Sequence, residues 1–201
     1  MDDLYIDMSK RCRRCIRKAE NYPLEIELVN NDNKFDFKNI MESTAIRHKD
    51  YDRSLEYYKS LDKELKEKSI LLIAYLDRDK FLEKFEDDKL YEKVKSDTRK
   101  KIPISAGVFI YDSERMNYVY GGTYKEYMPL MAQYKVQMEM IKYTKEKLKL
   151  PIYDFGGISG DFNPKSKNYG VYEFKKGFGG RVVEYIGEFD LIISPFKNTT
   201  F

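Results

Sequence analysis

The stretch Ser69-Ile-Leu-Leu-Ile-Ala-Tyr-Leu76 is a continuous apolar run of strand length, which predicts a strand covered on both faces. Upstream, Leu24-Glu-Ile-Glu-Leu-Val29 alternates apolar and acidic residues and then meets Asn30-Asn-Asp-Asn33. This pattern predicts a half-buried strand followed by a turn. Between the two strands, apolar residues at helical spacing predict helices over about Phe35 to Arg47 and about Leu55 to Lys68.

Downstream of the apolar run, the expected elements continue to alternate. The segment from Arg78 to Lys101 is densely charged and has only a narrow apolar stripe, which predicts a projecting or surface helix. Ile102 to Tyr111 and Tyr118 to Gly122 predict a β-hairpin. A long amphipathic helix is expected from about Lys125 to Lys149.

The remaining segments complete the pattern. Helices are expected over residues 3–20 and around Tyr169 to Lys176, a short strand over Pro151 to Phe155, and a last strand over Arg181 to Phe189. Strands and helices in this order predict an α/β (α+β) domain with a mixed sheet and helices on both faces. Such a sheet binds ligands best where neighbouring strands diverge.

Composition is that of an ordinary globular protein. The chain has 201 residues, 42% of them hydrophobic and 35% charged, enough for one domain. A formal net charge of +3 argues against a polycationic tail but leaves room for local basic patches. No stretch approaches the roughly 18 to 20 apolar residues of a membrane span, and the N-terminus lacks the order of a signal peptide. A cytoplasmic location is therefore expected.

Cys12 and Cys15 form one C-x-x-C motif, and His48 is the single histidine. This set is short of the four ligands of a structural zinc site, so no metal is expected. On a helix the two thiols would share a face, which fits a redox pair or half a metal site. Two small residues on the buried side of the helix are the favoured alternative.

Two motifs place a tyrosine four residues after an arginine. Arg47 with Tyr51, and Arg53 with Tyr57, would each put a guanidinium and a phenol on one face if the stretch is helical. Arginine suits bidentate contacts to phosphate or carboxylate, and tyrosine stacks or donates a hydrogen bond. Packing and surface ion pairing explain the spacing equally well.

Two further motifs combine glycines with charged or aromatic residues. Tyr153-Asp-Phe-Gly-Gly-Ile-Ser-Gly-Asp-Phe162 places glycines directly after a strand, where they allow a tight turn or the close approach of a ligand. Phe174-Lys-Lys-Gly-Phe178 offers a lysine beside aromatic rings, which can stabilise an oxyanion. Two lysines at a helix C-terminus are also favoured by the helix dipole alone.

A basic patch lies near the N-terminus, where Lys10 to Lys18 holds six cations in nine residues without an acid. Such a patch can seat phosphates, and a solvated helix face that balances acids elsewhere is the alternative. The candidate phosphate contacts are Arg11, Arg13, Arg14, Arg17 and Lys18.

These motifs occur in an order that resembles the FemABX family, the peptidoglycan-bridge aminoacyltransferases or lipid II glycyltransferases. The resemblance covers nearly the whole chain, and the glycine loop with the Phe-Lys-Lys-Gly-Phe segment is specific as a pair. The residues that carry it are Arg14-Cys-Ile-Arg17, Ile40-Met-Glu-Ser-Thr-Ala45 with Arg47, Arg53-x-x-x-Tyr57-Tyr58, Ile73-Ala-Tyr-Leu76, Tyr118-Val-Tyr-Gly-Gly-Thr123, Tyr153 to Phe162, Tyr169 to Phe178 and Glu184 to Phe189.

The resemblance implies an acetyltransferase-like (GNAT-like) fold. The family has two such domains, and residues 1–201 resemble only the second of them, so a single domain is expected and the first has no counterpart here. The segment from Arg78 to Lys101 then corresponds to a reduced helical arm made of one helix or two short ones.

By resemblance, the reaction moves Gly, Ser or Ala from its tRNA ester to the stem-peptide amine of a peptidoglycan precursor. Lys175 is expected to contact the 3′ end of the aminoacyl-tRNA and to stabilise the transition state as the catalytic residue. Phe174 beside it is expected to offer a stacking surface. The basic patch is expected to face the tRNA.

On the acceptor side, the resemblance implies that Arg53 and Tyr57 grip the phosphates and sugar of the precursor. The pair Arg47 and Tyr51 has the same spacing and remains the alternative register. Tyr120 resembles a tyrosine that lines the peptide channel.

The partners implied by the resemblance are aminoacyl-tRNA and lipid II or UDP-MurNAc-pentapeptide, with no cofactor. A full-length relative of the family and the cytoplasmic face of the membrane are further candidate partners. The alternative function is a catalytically silent domain that binds precursor or tRNA. An acyl-CoA acetyltransferase is disfavoured, because that group needs an Arg/Gln-x-x-Gly-x-Gly/Ala loop that opens a helix, and the nearest match, Phe174-Lys-Lys-Gly-Phe-Gly179, precedes a predicted strand instead.

Overall fold

A computed structural model describes residues 3–65 and 67–187 of the chain. Its strands are β1 (Leu24–Leu28), β2 (Ser69–Asp77), β3 (Lys101–Tyr111), β4 (Arg115–Thr123) and β5 (Ile152–Asp154). Its helices are α1 (Asp3–Ile6), α2 (Lys10–Asn21), α3 (Lys34–His48), α4 (Leu55–Glu64), α5 (Arg78–Lys84), α6 (Tyr91–Ser96), α7 (Ala132–Tyr143) and α8 (Tyr169–Gly177). Among these helices, none has the length and apolar character that a bilayer crossing requires.

The strands form one sheet in the order β1-β2-β3-β4-β5. Every pairing is antiparallel except that between β4 and β5, which is parallel. Strand β2 lies between β1 and β3, with Leu76 opposite both Leu24 and Ile102. The apolar run at residues 69–76 is therefore an inner strand, as its sequence predicts.

The sheet carries helices on both faces, which confirms the predicted architecture. Successive side chains of β2 point to opposite faces. Ile73 and Tyr75 pack with Phe37 and Ile40 of α3 and with Tyr58 of α4. The opposite face holds the larger cluster, whose members from β2, α5, α6 and α7 are Leu72, Ala74, Leu76, Phe81, Val94, Val136 and Met140.

Strand β4 contains an extra residue that changes which face its side chains occupy. Val108 pairs with Tyr120, whereas Phe109 pairs with Tyr118, so Val119 is a β-bulge. Two residues apart on a regular strand share a face. Here Tyr118 packs against the cluster under α7, and Tyr120 packs against the cluster under α3 and α4.

Two predicted helices are interrupted because local backbone geometry stops them. The segment 3–20 divides into α1 and α2, since Ser9 is extended and its hydroxyl caps α2 by accepting from the Cys12 amide at 3.1 Å. The segment 125–149 begins as a 3-10 turn over Lys125–Leu130, is broken at Met131 with φ 57°, and ends in a π-helical turn. Pro129 within the first turn lacks the amide that an α-helix would need.

One helix boundary near the middle of the chain also differs from the prediction. The helix predicted over Leu55 to Lys68 ends at Glu64, where the Leu65 amide bonds back to the Leu61 carbonyl. In the connection from α4 to β2, Glu67 has a φ of 65°, a left-handed backbone conformation that an α-helix cannot contain.

The charged segment from Arg78 to Lys101 packs on the body of the domain, which is the surface alternative of the prediction and not the projecting one. It forms two short helices, α5 and α6, and its correspondence to a reduced arm stays a prediction. Phe81 is fully buried, with its ring 6.0 Å from that of Tyr22 and 5.2 Å from that of Phe85. The Tyr22 hydroxyl also donates to Asp88 at 2.7 Å, which ties the segment to the end of α2.

The last predicted strand, Arg181 to Phe189, is wrong for residues 181–187, which form neither strand nor helix. Residues 188 and 189 lie outside the described part of the chain. Two side chains that the strand pattern would bury, Val183 and Ile186, are 66% and 93% exposed. Because these side chains are not buried, packing does not stabilise a strand over residues 181–187.

The packing of α5 gives a direct stability prediction. Replacing Phe81 with Ala is expected to lower the free energy of unfolding by about 3–5 kcal/mol, because the ring is fully buried among aromatic neighbours. The same change at Phe35, which is 61% exposed, is expected to cost about 0.5 kcal/mol or less. Urea unfolding of both variants measures the difference, and equally small losses would show that the segment does not pack as described.

Candidate functional site

Strands β4 and β5 pair over three residues only, Arg115–Asn117 with Ile152–Asp154, and then separate. The turn after β5 and the C-terminal end of α8 meet at this point. Lys175 of α8 donates a hydrogen bond from its Nζ to the Gly157 carbonyl at 2.6 Å. The crevice at the diverging strands therefore contains a positioned ammonium group.

The environment of Lys175 suits a cation that must act on a reacting oxygen. Burial lowers the pKa of Lys175 below its ordinary value, and the negative charge of Asp154 opposes this effect. An ammonium group has three donors, and the Gly157 carbonyl occupies one of them. The remaining donors can bind a carbonyl oxygen that becomes negative during a reaction.

Gly156 is required by the shape of the turn. Its φ is +72°, a left-handed conformation that glycine adopts without cost. A Cβ at this position would lie 2.8 Å from the Tyr118 carbonyl oxygen and 3.8 Å from the Lys175 Nζ. The glycine thus allows the turn to sit between β4 and the ammonium group.

A second cluster brings together four residues singled out in the sequence. The hydroxyls of Tyr57 and Tyr120 are hydrogen-bonded at 3.2 Å, and this bond raises the pKa of Tyr57. The Arg53 guanidinium lies 5.1 Å from the centre of the Tyr57 ring and 4.9 Å from that of Tyr51. This guanidinium is partly exposed, so it can still direct donors to an anion while the aromatic rings hold it in place.

Strand β4 links the two clusters. The Tyr118 carbonyl faces the turn at Gly156, whereas the Tyr120 side chain reaches Tyr57. The bulge at Val119 allows this arrangement, since it turns neighbouring tyrosines to opposite faces of the sheet. Strand β4 therefore contacts both the turn below the Lys175 ammonium and the cluster of Arg53, Tyr57 and Tyr120, called here the arginine cluster.

The assumption that each Arg-x-x-x-Tyr pair shares a helix face is wrong. Helix α3 ends at His48, with Lys49 left-handed at φ 58°, so Tyr51 lies beyond it. Helix α4 begins only after Ser54, whose hydroxyl accepts from the Tyr57 amide at 3.1 Å, so Arg53 lies outside the helix. Arg53 nevertheless meets Tyr57 because the chain turns at the cap.

Arg47 has a different position from Arg53. Its guanidinium donates to the Thr123 carbonyl at 2.7 Å and is partly buried, and this burial lowers its pKa. Arg47 therefore braces α3 against the end of β4, while Tyr51 is 74% exposed beside Arg53. The geometry favours the Arg53–Tyr57 register over the Arg47–Tyr51 register for ligand contact.

Phe174 lies within an aromatic cluster. Its ring centre is 5.0 Å from that of Tyr134 and 5.4 Å from that of Phe178. It also lines a cavity of about 170 Å³ between α2 and α8 with Tyr169 and Arg11. The ring is partly buried, and its role as a stacking surface stays a prediction.

The basic patch forms one side of α2. The opposite side of this helix is buried and includes both cysteines, Cys12 and Cys15, which are free thiols. This confirms that they are packed residues, and burial raises the pKa of Cys12 to about 12, which disfavours the reactive thiolate. The patch residues exposed to solvent are Arg11, Arg14, Arg17 and Lys18, and Arg13 is half-buried.

Helix α2 lies beside α8, so the basic patch is near the helix that carries Lys175. The Ser9 amide donates to the Gly177 carbonyl at 2.9 Å, and the Arg11 guanidinium pairs with Glu173 at 3.5 Å. Arg13 donates to the Tyr5 carbonyl at 3.0 Å.

A larger cavity lies elsewhere, at the opposite edge of the sheet. It has a volume of about 980 Å³ and lies where β1 ends, between α4 and the end of α7. Apolar residues such as Leu28, Ile70 and Met140 line it, together with lysines and glutamates. We place the candidate site at the diverging strands, because the positioned cation and the glycine turn are there and not in this larger groove.

Asp154 and Arg115 both lie where β4 and β5 separate, and the sequence predicts a role for neither of them. The Arg115 guanidinium is 3.7 Å from the Asp154 carboxylate. The only signal for Asp154 is its place two residues before the first glycine of the loop motif, the spacing of a side chain that caps a turn. Arg115 carries no comparable signal.

Comparison with known proteins gives consistent matches. The sequence model of the FemAB family matches residues 1–96 and 86–201. Aminoacyltransferase FemA of Staphylococcus epidermidis is 26% identical over an alignment 230 positions long, which covers 94% of this chain and 55% of the relative. Aminoacyltransferase FemA of Staphylococcus aureus MRSA252 is 24% identical over 242 residues, covering 100% of this chain and 57% of the relative. The chain thus spans little more than half the length of these relatives.

Solved structures support the fold. The crystal structure of FemX superimposes with a TM-score of 0.72 at 20% identity, covering 89% of this chain and 55% of that one. A possible acetyltransferase from Clostridium difficile 630 gives a TM-score of 0.55 at 10% identity, covering 84% of this chain and 98% of that one. The expected GNAT-like fold is confirmed.

The turn at Gly156 predicts different effects at two adjacent glycines. Gly156→Ala is expected to destabilise the protein by about 1–3 kcal/mol, because φ is positive and the new Cβ would meet the Tyr118 carbonyl. Gly157→Ala is the matched control, since a Cβ there meets nothing within 4 Å. Thermal and urea unfolding measure both, and equal stability of the two variants would contradict the described turn.

The two arginines are expected to differ in their effect on stability. Arg47→Ala is expected to cost about 1–3 kcal/mol of unfolding free energy, because it removes the 2.7 Å hydrogen bond to the Thr123 carbonyl and leaves the weaker one from the Thr44 hydroxyl at 3.5 Å. Arg53→Ala is expected to cost clearly less than Arg47→Ala, because it removes only contacts of a partly exposed guanidinium with the Tyr51 and Tyr57 rings. Urea unfolding of the two variants tests this, and the reverse order would assign the bracing role to Arg53.

Proposed function

Because the chain belongs to the FemAB family, we propose that it transfers an amino acid, Gly, Ser or Ala, from its tRNA ester to the stem-peptide amine of a peptidoglycan precursor. The observation that carries the proposal is the Lys175 ammonium, aligned by the Gly157 carbonyl where β4 and β5 diverge. The names of the relatives, aminoacyltransferases, support the reaction class.

The reaction is the aminolysis of an ester. The acceptor amine attacks the ester carbonyl, a tetrahedral oxyanion forms, and the tRNA hydroxyl leaves as the amide is completed. Lys175 would donate a hydrogen bond to the oxyanion as its charge develops. Because the Gly157 carbonyl already fixes this side chain, little reorganisation is needed when the substrate binds.

The arginine cluster supplies the grip on the acceptor. Arg53 is partly exposed and lies against Tyr51 and Tyr57, so its guanidinium can form a bidentate contact with a phosphate. Tyr57 and Tyr120 add two hydroxyls that can bind the sugar or the peptide. These groups suit lipid II or UDP-MurNAc-pentapeptide, both of which carry a diphosphate.

The donor would approach from the side of α2. The exposed cations of this helix, with Arg11 next to α8, can bind RNA phosphates without sequence specificity. The helix lies against α8, so a tRNA bound there can direct its 3′ end towards Lys175. A full-length relative and the cytoplasmic membrane face remain candidate additional partners.

Acyl-CoA is a poorer donor for this site. A pyrophosphate needs backbone amides that approach closely, usually through glycines at the start of a helix. The segment that opens α7 is Tyr124-Lys-Glu-Tyr-Met-Pro-Leu-Met131, which contains no glycine. The similarity to acetyltransferase structures therefore concerns the fold.

The central prediction concerns Lys175. Transfer from charged Gly-, Ser- and Ala-tRNA to UDP-MurNAc-pentapeptide is measured for the chain and for Lys175→Ala. The variant is expected to lose about 100- to 1000-fold in kcat, because a donor to the oxyanion is removed. Lys176→Ala is the matched control, since its ammonium lies over the Tyr172 ring at 5.2 Å, and it is expected to keep nearly full activity.

Two results would contradict the proposal. Full activity of a correctly folded Lys175→Ala would remove this residue from catalysis. Binding of tRNA or precursor without transfer by the unmodified chain would support the alternative of a silent binding domain.

A further inference from the structure

Asp154 makes the contact that shapes the turn below Lys175. It is the last residue of β5, opposite Asn117 of β4, where the two strands stop pairing. One carboxylate oxygen accepts a hydrogen bond from the Gly156 amide at 2.7 Å. A carboxylate that bonds an amide two residues later fixes the intervening backbone as an Asx-turn.

This turn determines the position of the Lys175 ammonium group. Gly156 is confined by the Tyr118 carbonyl on one side and by Lys175 on the other. The following carbonyl, that of Gly157, accepts the Lys175 hydrogen bond at 2.6 Å. A chain of two hydrogen bonds therefore runs from Asp154 through the turn to Lys175.

We propose that Asp154 is a positioning residue that holds the Lys175 ammonium in the crevice, through the Gly156 turn and through its own negative charge. The proposal rests on the function proposed above and assigns to Asp154 no contact with substrate. Without the carboxylate, the turn loses its anchor and Lys175 loses the negative charge nearest to it at the end of β5.

The charges around Lys175 are consistent with this role. Burial lowers the pKa of Lys175 and the Asp154 carboxylate raises it, so Asp154 helps to keep the half-buried amine protonated. Arg115 of β4 shares the carboxylate at 3.7 Å and also donates to the Tyr185 hydroxyl at 3.3 Å. On α8 itself, the Lys176 ammonium is directed to the Tyr172 ring.

Three variants separate the two contributions of Asp154. Asp154→Asn keeps an oxygen for the Gly156 amide but removes the charge, and Asp154→Ala removes both. Asp161→Ala is the control, because Asp161 forms the same kind of turn by accepting from the Asn163 amide at 3.0 Å and has no contact with Lys175.

The first readout is kinetic. Asp154→Ala is expected to lower kcat about 100-fold, because a displaced ammonium no longer meets the oxyanion, while KM for the precursor stays within about twofold. Asp154→Asn is expected to recover part of the loss, and Asp161→Ala is expected to match the unmodified chain. If Asp154→Ala and Asp154→Asn both keep the original kcat, the proposal is overturned.

The second readout does not depend on catalysis. Acetic anhydride labels free amines, and mass spectrometry of the peptide that contains Lys175 gives the pH midpoint of its reactivity. Both Asp154 variants are expected to shift this midpoint to lower pH, and Asp161→Ala is expected to leave it unchanged. An unchanged midpoint in the Asp154 variants overturns the proposal. Absence of transfer by the unmodified chain, with the midpoint shifted, refutes the proposed function and supports the role of Asp154.

Discussion

The feature on which the site depends is the short pairing of β5 with β4. Hydrogen bonds join these strands over three residues only, ending at Asp154 and Asn117. Beyond this point β4 continues to Thr123, and the chain after β5 turns away through Gly156. Because the two strands separate, the sheet opens a crevice, and α8 can place Lys175 against the turn.

The sheet and its layers could be predicted because buried strands need apolar residues at regular positions, and the sequence shows this pattern. The apolar run at 69–76 can only be a strand covered on both faces, and the alternation at 24–29 fits the edge strand β1. The interruptions were missed because they depend on single residues. Ser9 and Met131 stop helices whose apolar periodicity continues across the break. The narrow apolar stripe of the charged segment 78–101 fits a projecting or a surface helix equally well, and the fold decides between them because a few buried residues such as Phe81 are enough to dock the segment.

Only part of the candidate site could be predicted from the sequence. Lys175 and the glycine loop were identified from motifs, and Gly156 shows the positive φ that such a loop needs. The spacing of the two Arg-x-x-x-Tyr pairs is identical, so only the fold separates them: the Arg47 guanidinium donates to the Thr123 carbonyl, whereas that of Arg53 lies against the Tyr51 and Tyr57 rings. The bulge at Val119, which sends Tyr118 and Tyr120 to opposite faces, arises from strand pairing and leaves no mark in the sequence.

The most direct test of the central claim is to find where an aminoacyl end binds. A short RNA hairpin carrying a photoreactive amino acid, joined to its 3′ end by a stable amide, is irradiated with the chain, and crosslinked peptides are identified by mass spectrometry. The account predicts crosslinks at the Gly156 turn and at the end of α8 around Lys175. Crosslinks confined to the larger groove at the opposite edge, around Leu28 and Met140, would contradict it.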